Sequence, residues 1–546
     1  MSLLAAILFG TYSVANAGVV EVGDHGAIAD GETINTSAIQ KAIDACAEAG
    51  GGRVHFPAGD YVSGTLFLKD GVYLDLDQGA TLLGSTNLED YPITHCELPS
   101  YTDKYVVRAL IWGEGLKNVG LVGRGTIDGQ GEAFLGNHPP EEELAKIVEG
   151  WDPNRYTPKS VYINRPYLIR LIGCRDVLVE GLTLRNSPMW MQQYLNCDFV
   201  TLRGLNVYNH CNKNNDMIDI DGCRDVIISD CYGDSDDDAL TLKSTVQYPT
   251  ENVTVTNCVL SSHCNALKMG TESSGGFKNI AISNCVIRPS RDEKAMGGRD
   301  EGLAGIALEI VDGGVMDGVT ISNISIVGET VPIFIRLGNR GRQVTPVSEK
   351  PSTGLLRNVI LSNIVATQTG NIGCSITGQP DHPVENVTLS NIRLEFAGGM
   401  DYEKTDREVP ELPAQYPESV MFGHLPAYGF YCRHVDGLTF ENLQVEYLAP
   451  DTRPALVCED VQNLTVSALQ SEAEELTPAH ILLRDTRDAR ITGCRPSGNE
   501  TFMRLEKPCE NITVIGNDFS AIDTPIAYEE DALKTAVYEA GNRKDR

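Results

Sequence analysis

Between Val177 and Ile512 the chain repeats one short phrase, a turn residue followed by V-x-[VIL]-x-N-[CIL] or a close variant. It stands as NVTVTNC at 252–258, NIAISNC at 279–285, GVTISNI at 318–324, NVILSNI at 358–364, NVTLSNI at 386–392, GLTFENL at 437–443 and NLTVSAL at 463–469. The first apolar positions are Val177, Val200, Val226, Val253, Ile280, Val319, Val359, Val387, Leu438, Leu464, Ala489 and Ile512, separated by 23, 26, 27, 27, 39, 40, 28, 51, 26, 25 and 23 residues. A base step of 23–28 with a few longer ones describes a coil with loops inserted at one kind of turn. Short alternating strands, Gly and Asn at the bends and no intervening helices point to a parallel β-helix. Asn suits the bends because it tolerates left-handed backbone. Successive coils rise by about 4.8 Å, so residues one period apart lie on top of each other.

Stacked coils let one all-β domain span residues 18–546. Asn35-Thr36 offers an N-cap to the amphipathic stretch 38–49, which Gly50-Gly51-Gly52 ends, and a helix there covers the open end of the solenoid. Tyr528 to Ala540 also reads as helical. The long steps place loops at 285–318, 324–358 and 392–437, and a further loop is read at 130–165. Loops of that length usually form walls or lids. Trp151, Tyr156, Tyr402, Tyr416 and Tyr428 either stack on sugars there or pin their own loops to the body.

Residues 1–17 read as a secretory signal: a short apolar run at 3–15 leads to Ala15-Asn16-Ala17. The expected location is secreted or periplasmic. No other apolar run approaches the roughly 20 residues of a membrane helix. Net charge −31 argues against nucleic acid and anionic membrane surfaces, which need a cationic footprint. The 15 Cys include Cys231, Cys258, Cys285 and Cys494 at equivalent places in the repeat, so buried, stacked thiols are expected. With no CxxC and no metal-ligand spacing, zinc is not indicated.

Two acidic groups break the apolar text, Asp216/Asp219/Asp221 and Asp234/Asp236/Asp237/Asp238. Asp216 precedes Asp237 by 21 residues and Asp238 by 22, about one coil, so they become neighbours. The same offsets stack Asp238, Asn265 and Asp292, and beside them Asp237, Cys264 and Arg291. Paired carboxyls cleave glycosidic bonds, one protonated and donating to the leaving oxygen, the other ionised. Crowding raises at least one pKa. A solvated acidic turn or an oxygen-ligand Ca²⁺ site uses the same residues.

Asn214-Asn215-Asp216, Asp219 and Asp237-Asp238 at this spacing, with GRGTIDGQG at 123–131, RPYLIRLIGC at 165–174 and RNSPMW at 185–190, resemble glycoside hydrolase family 28, the polygalacturonases and their relatives. The resemblance runs from Gly23 to about Gln470. It implies a right-handed parallel β-helix and hydrolysis with inversion, with Asp237 as the acid and Asp216 and Asp238 activating water, about 6.5–9.5 Å from the acid. Asn214 and Asp219 join the site, and no cofactor or metal is implied.

The chain departs from the family at two motifs. Where a H-G motif is usual, SSHCNALKMG puts Asn265 or Cys264 at the His position, with His263 close by. Where R-x-K grips a galacturonate carboxylate, Ala307 and Glu309 stand in GIALE. Lys243, Lys268, Arg291 and Arg336 are the cations that could compensate, or that balance local negative charge.

The expected partner is a pectic polysaccharide or oligosaccharide, polygalacturonan or rhamnogalacturonan, bound by a monomer. Two other classes share the scaffold: a polysaccharide lyase, which needs Ca²⁺ and a basic residue, and a non-catalytic adhesin or tail-spike.

Overall fold

The computed structural model describes residues 18–104, 107–136, 164–498, 501–529, 532 and 537–544. The segment read as a signal, 1–17, lies outside them, as do Trp151 and Tyr156.

The strands form a right-handed parallel β-helix. Its hand is the one that right-twisted strands impose on parallel crossovers. The sequence repeat is its register. Val177 pairs with Val200, Val200 with Val226, Val226 with Val253 and Val253 with Ile280. Further along, Ile280 pairs with Val319, Val319 with Val359, Val359 with Val387, Val387 with Leu438 and Leu438 with Leu464. A step of 51 residues therefore still ends in register, because the surplus leaves the coil as a loop. The inward Val, Ile and Leu form one core along the helix.

The Asn bends are left-handed as the repeat requires: Asn284, Asn323, Asn363, Asn391 and Asn442 have φ between 53° and 57°. Their side chains bond from coil to coil at 3.0–3.1 Å. The 15 cysteines are all buried and unbridged.

A middle coil shows the plan. Strands Arg224–Ser229, Tyr232–Ser235 and Leu240–Ser244 each pair with their counterparts one coil away, giving three parallel faces. The turn between the second and third faces is where the chain departs furthest. Segments 288–303 and 399–429 leave there, while 338–354 leaves after the third face.

Helix Thr36–Glu48 packs Ile39, Ala42, Ile43 and Cys46 against the first coil. Asn35 precedes it, but its side chain bonds Ile28 N and O and Thr33 O instead of capping the helix. The C-terminal stretch differs from expectation. Thr524–Tyr528 and Val537–Ala540 are strands that continue the ladders onto Met503 and Ile512, because stacking on an open coil outweighs helix propensity.

Candidate active site

Asp216 and Asp238 are brought together by register. Ile218 pairs with Leu240, and Met217 N–H donates to Asp238 O at 3.0 Å, so the turns before these strands are stacked. A cavity of about 160 Å³ opens there, lined by Met189, Trp190, Asn214, Asp216, Asp237, Asp238, Lys243, Glu272 and Tyr416.

The four aspartates of 234–238 do two different jobs. Asp234 accepts from Ser290 Oγ (2.7 Å) and Arg291 N (2.9 Å), and meets His210 Nε2 at 2.9 Å. Burial works to raise its pKa, but these hydrogen bonds together hold it below the usual carboxylate range. Asp236 accepts from Met296 N (2.6 Å) and Gly297 N (3.0 Å) and meets His263 Nδ1 at 3.1 Å. Both therefore clasp the segment 288–303 to the coil. Asp237 and Asp238 face the cavity instead.

Asp238 is held by three donors: Lys268 Nζ at 2.9 Å on one oxygen, Asn265 N (3.2 Å) and Nδ2 (2.8 Å) on the other. Asp237 is less constrained, with Asn214 Nδ2 at 3.5 Å and its own Oδ1 accepting from Asp238 N at 3.0 Å. Burial, and then the charge of Asp238, push its pKa up to about 6. Asp216 and Asp219 share Lys243, whose Nζ lies 3.1 and 3.2 Å from them and 3.7 Å from Glu272. Burial raises both carboxyls against the pull of Lys243, Asp219 to about 7. Lys243 Nζ also sits 4.2 Å from the centre of the Trp190 ring. This arrangement offers a carboxyl that keeps its proton near neutrality beside carboxylates engaged by fixed donors, which is what acid–base hydrolysis needs.

Other expected site residues lie elsewhere. His263 is buried with Nδ1 on Asp236 and Nε2 3.2 Å from Asp292 O, and its ring stacks edge-on with His210 at 5.2 Å. The ligand atoms of His210, Asp236 and His263 lie within 4.8 Å of one another, but His263 Nδ1 meets Asp236, and His263 Nε2 and both Asp236 oxygens already meet backbone groups of 288–303. Ala304, and not Asp292, stacks on Asn265, since 288–303 leaves the coil. Arg291 is consequently exposed, and only its backbone N–H is used, on Asp234. Arg336 is buried away from the cavity, bonding Thr377, Gly378 O, Glu411 O and Leu412 O. Ala307 pairs with Lys268 and packs with Phe334 and Phe422 beneath the 399–429 segment. Glu309 is buried, neither oxygen has a hydrogen-bond partner among the described residues, and burial pushes its pKa well up despite Lys268.

Sequence reasoning missed Glu272, Trp190, Arg340 and Arg342. Arg342 bonds Glu272 at 2.7 Å, and Arg340 bonds Asp312. Glu272 sits two residues beyond the KMG already singled out, but the arginines lie about 70 residues later and carry no local signal. Of the loop tyrosines, Tyr416 is half exposed at the cavity, whereas Tyr428 is buried and donates to Glu472 O at 2.9 Å. Tyr402 accepts from Arg484 at 3.2 Å.

The family model for Glycosyl hydrolases family 28 matches residues 46–413. A probable polygalacturonase of Vitis vinifera is 31% identical over 233 residues, 40% of this chain and 43% of that protein. An exo-poly-alpha-D-galacturonosidase of Dickeya chrysanthemi is 29% identical over 274 residues, 43% and 44% of the two chains. The chain thus spans under half the length of either relative. The crystal structure of a hyperthermoactive exopolygalacturonase from Thermotoga maritima superposes with a TM-score of 0.58 at 24% identity, covering 69% of this chain and 87% of that one.

Proposed function

Because this chain belongs to glycosyl hydrolases family 28, we propose that it is an exported, inverting glycoside hydrolase acting on α-linked galacturonide bonds of pectin. The observation that carries this reading is the cavity in which Asp216, Asp237 and Asp238 converge from neighbouring coils. Asp237 donates its proton to the leaving oxygen, and its pKa near 6 keeps that proton available in mildly acidic solution. Asp238, oriented by Lys268 and Asn265, takes the proton of the attacking water, with Asp216 positioning that water. Asn214 and Tyr416 border the sugar, and Trp190 offers a ring edge beside Lys243. Segment 399–429 reaches the cavity through Tyr416, and Arg342 of segment 338–354 backs it through Glu272, an arrangement that supports attack from a chain end. Among the described residues no helix is long and apolar enough to cross a membrane.

Product analysis by chromatography and mass spectrometry on polygalacturonan and rhamnogalacturonan, with wild type beside Asp237→Asn, tests this. Saturated products that vanish in the variant support the reading. An unsaturated, ultraviolet-absorbing product would mean a lyase, and full activity in Asp237→Asn would remove Asp237 from the mechanism.

A further inference from the structure

We propose that Glu272 makes the cavity selective for an uncharged glycosyl unit, a neutral sugar or a methyl-esterified galacturonate, over a free uronate. The proposal rests on the hydrolase reading above and names the substrate class of that site.

The argument is one of charge. Four carboxyl groups, Asp216, Asp237, Asp238 and Glu272, line the cavity against one cation, Lys243. Lys243 already faces three carboxylates. Lys268, behind the lining, bonds Asp238, and the fields of Glu309 and Glu418 also act on it. Arg340, 5.5 Å from the centre of the Tyr416 ring, pairs with Asp312, and Arg342 pairs with Glu272. Arg165, behind Asn214, is engaged by the Asn212 and Asn214 side chains and the Lys213 carbonyl. A uronate carboxylate entering here would meet more carboxyl groups than cations in the lining, with Lys243, Lys268, Arg165, Arg340 and Arg342 each already engaged. Like-charge juxtaposition of this kind is how sites reject a competitor.

Glu272 is the member that fixes the sign. Asp216 and Asp237 can become neutral by holding a proton, since burial raises both. Burial works the same way on Glu272, but Arg342, Lys243 and Arg340 outweigh it and keep this carboxyl ionised well below the usual range. It also takes no part in the proton transfers assigned to Asp237 and Asp238. Its charge therefore stands in the cavity throughout the cycle.

The test compares kcat/KM of the full chain on a free-acid oligogalacturonide, its methyl ester and a rhamnogalacturonan oligosaccharide. The free acid is expected to be the slowest, on the order of tenfold below the better of the other two. Which of those two wins separates an esterified galacturonate from the neutral rhamnose of the rhamnogalacturonan as the unit held in the cavity. Glu272→Gln should raise the free-acid rate, mainly through KM, and narrow the gap, while Glu272→Asp preserves it. A free acid cleaved best by wild type overturns the proposal, as does a Glu272→Gln protein that melts like wild type with the ratio unchanged. If Glu272→Gln does not fold, the wild-type ratio decides. If wild type cleaves none of the three, the hydrolase reading falls by itself. Calorimetric binding of acid against ester then decides this inference, tighter ester sustaining it and equal or tighter acid overturning it.

Discussion

Lys268 Nζ lies 2.9 Å from Asp238 Oδ2, and the side chains are only 2% and 4% exposed. Lys268 and Asp238 belong to consecutive coils, Lys268 pairing with Thr241 in the backbone ladder. Asn265, three residues before Lys268, fills the other oxygen. One strand thus orients the carboxylate of the strand beneath it.

Removing Lys268 leaves Asp238 buried without its counter-charge. Lys268→Met should destabilise the fold by roughly 3–5 kcal/mol, the range for breaking a buried pair by removing one partner. Urea denaturation reads this as a lower midpoint. A midpoint equal to wild type would mean that Asn265 alone satisfies Asp238.

The alkaline limb of the pH–rate profile should belong to Asp237. Its pKa is raised to about 6, so it is protonated below that pH, and kcat should fall as pH rises through about 6. Asp237→Asn is expected to lower kcat by about 10²–10⁴-fold and to lose that limb. A variant that keeps the limb would assign it to another group.

His263 carries a second pH dependence. Burial lowers its pKa, but Asp236, the Asp292 carbonyl and Asp234 raise it above the ordinary His value in the folded state. The sign follows from linkage. The stability this contributes is fully present below the unfolded His pKa and is lost as pH rises through the higher folded value. His263→Gln should flatten that slope and speed proteolysis within 288–303, whose Met296, Gly297 and Arg299 amides bond Asp236 and the His263 carbonyl. Unchanged cleavage there would show that Asp234 and Asp236 suffice as the clasp.

Arg336 should matter to stability and not to substrate choice. Its guanidinium serves four acceptors, two of them carbonyls at 411 and 412, and burial lowers its pKa to about 10. Arg336→Met leaves these acceptors unmatched, at about 1–3 kcal/mol for each buried group. Thermal melting should fall and nicking within 399–429 should rise, with the ratio of rates on different substrates unchanged. A changed ratio would place Arg336 in recognition.

The architecture was legible because pleat and turn sterics are local. A Val, Ile or Leu every coil and an Asn that accepts φ near 55° fix the register, and that register by itself sets Asp216 beneath Asp238. The parallel β-helix and the buried cysteines at 231, 258, 285 and 494 follow from the same repeat, and the capping helix from its own amphipathic stretch at 38–49. Tyr528 and Val537–Ala540 were misread because their strand identity comes from the coil below, which helix propensity does not register.

What only the tertiary structure decided is which charges meet. Asp234, Asp236, Asp237 and Asp238 look alike in sequence, and their division into two clasps and two cavity groups depends on amides of 288–303, about 60 residues away. The same insertion puts Ala304 next to Asn265 in the stack and takes Asp292 and Arg291 out of it. Arg342 reaches Glu272 across 70 residues and Ser419 reaches Leu303 O across 116, contacts with no periodic trace. A repeat encodes what lies one coil away. The loops that leave it find their partners by burial and charge in the folded molecule, and those partners set the sign of the cavity.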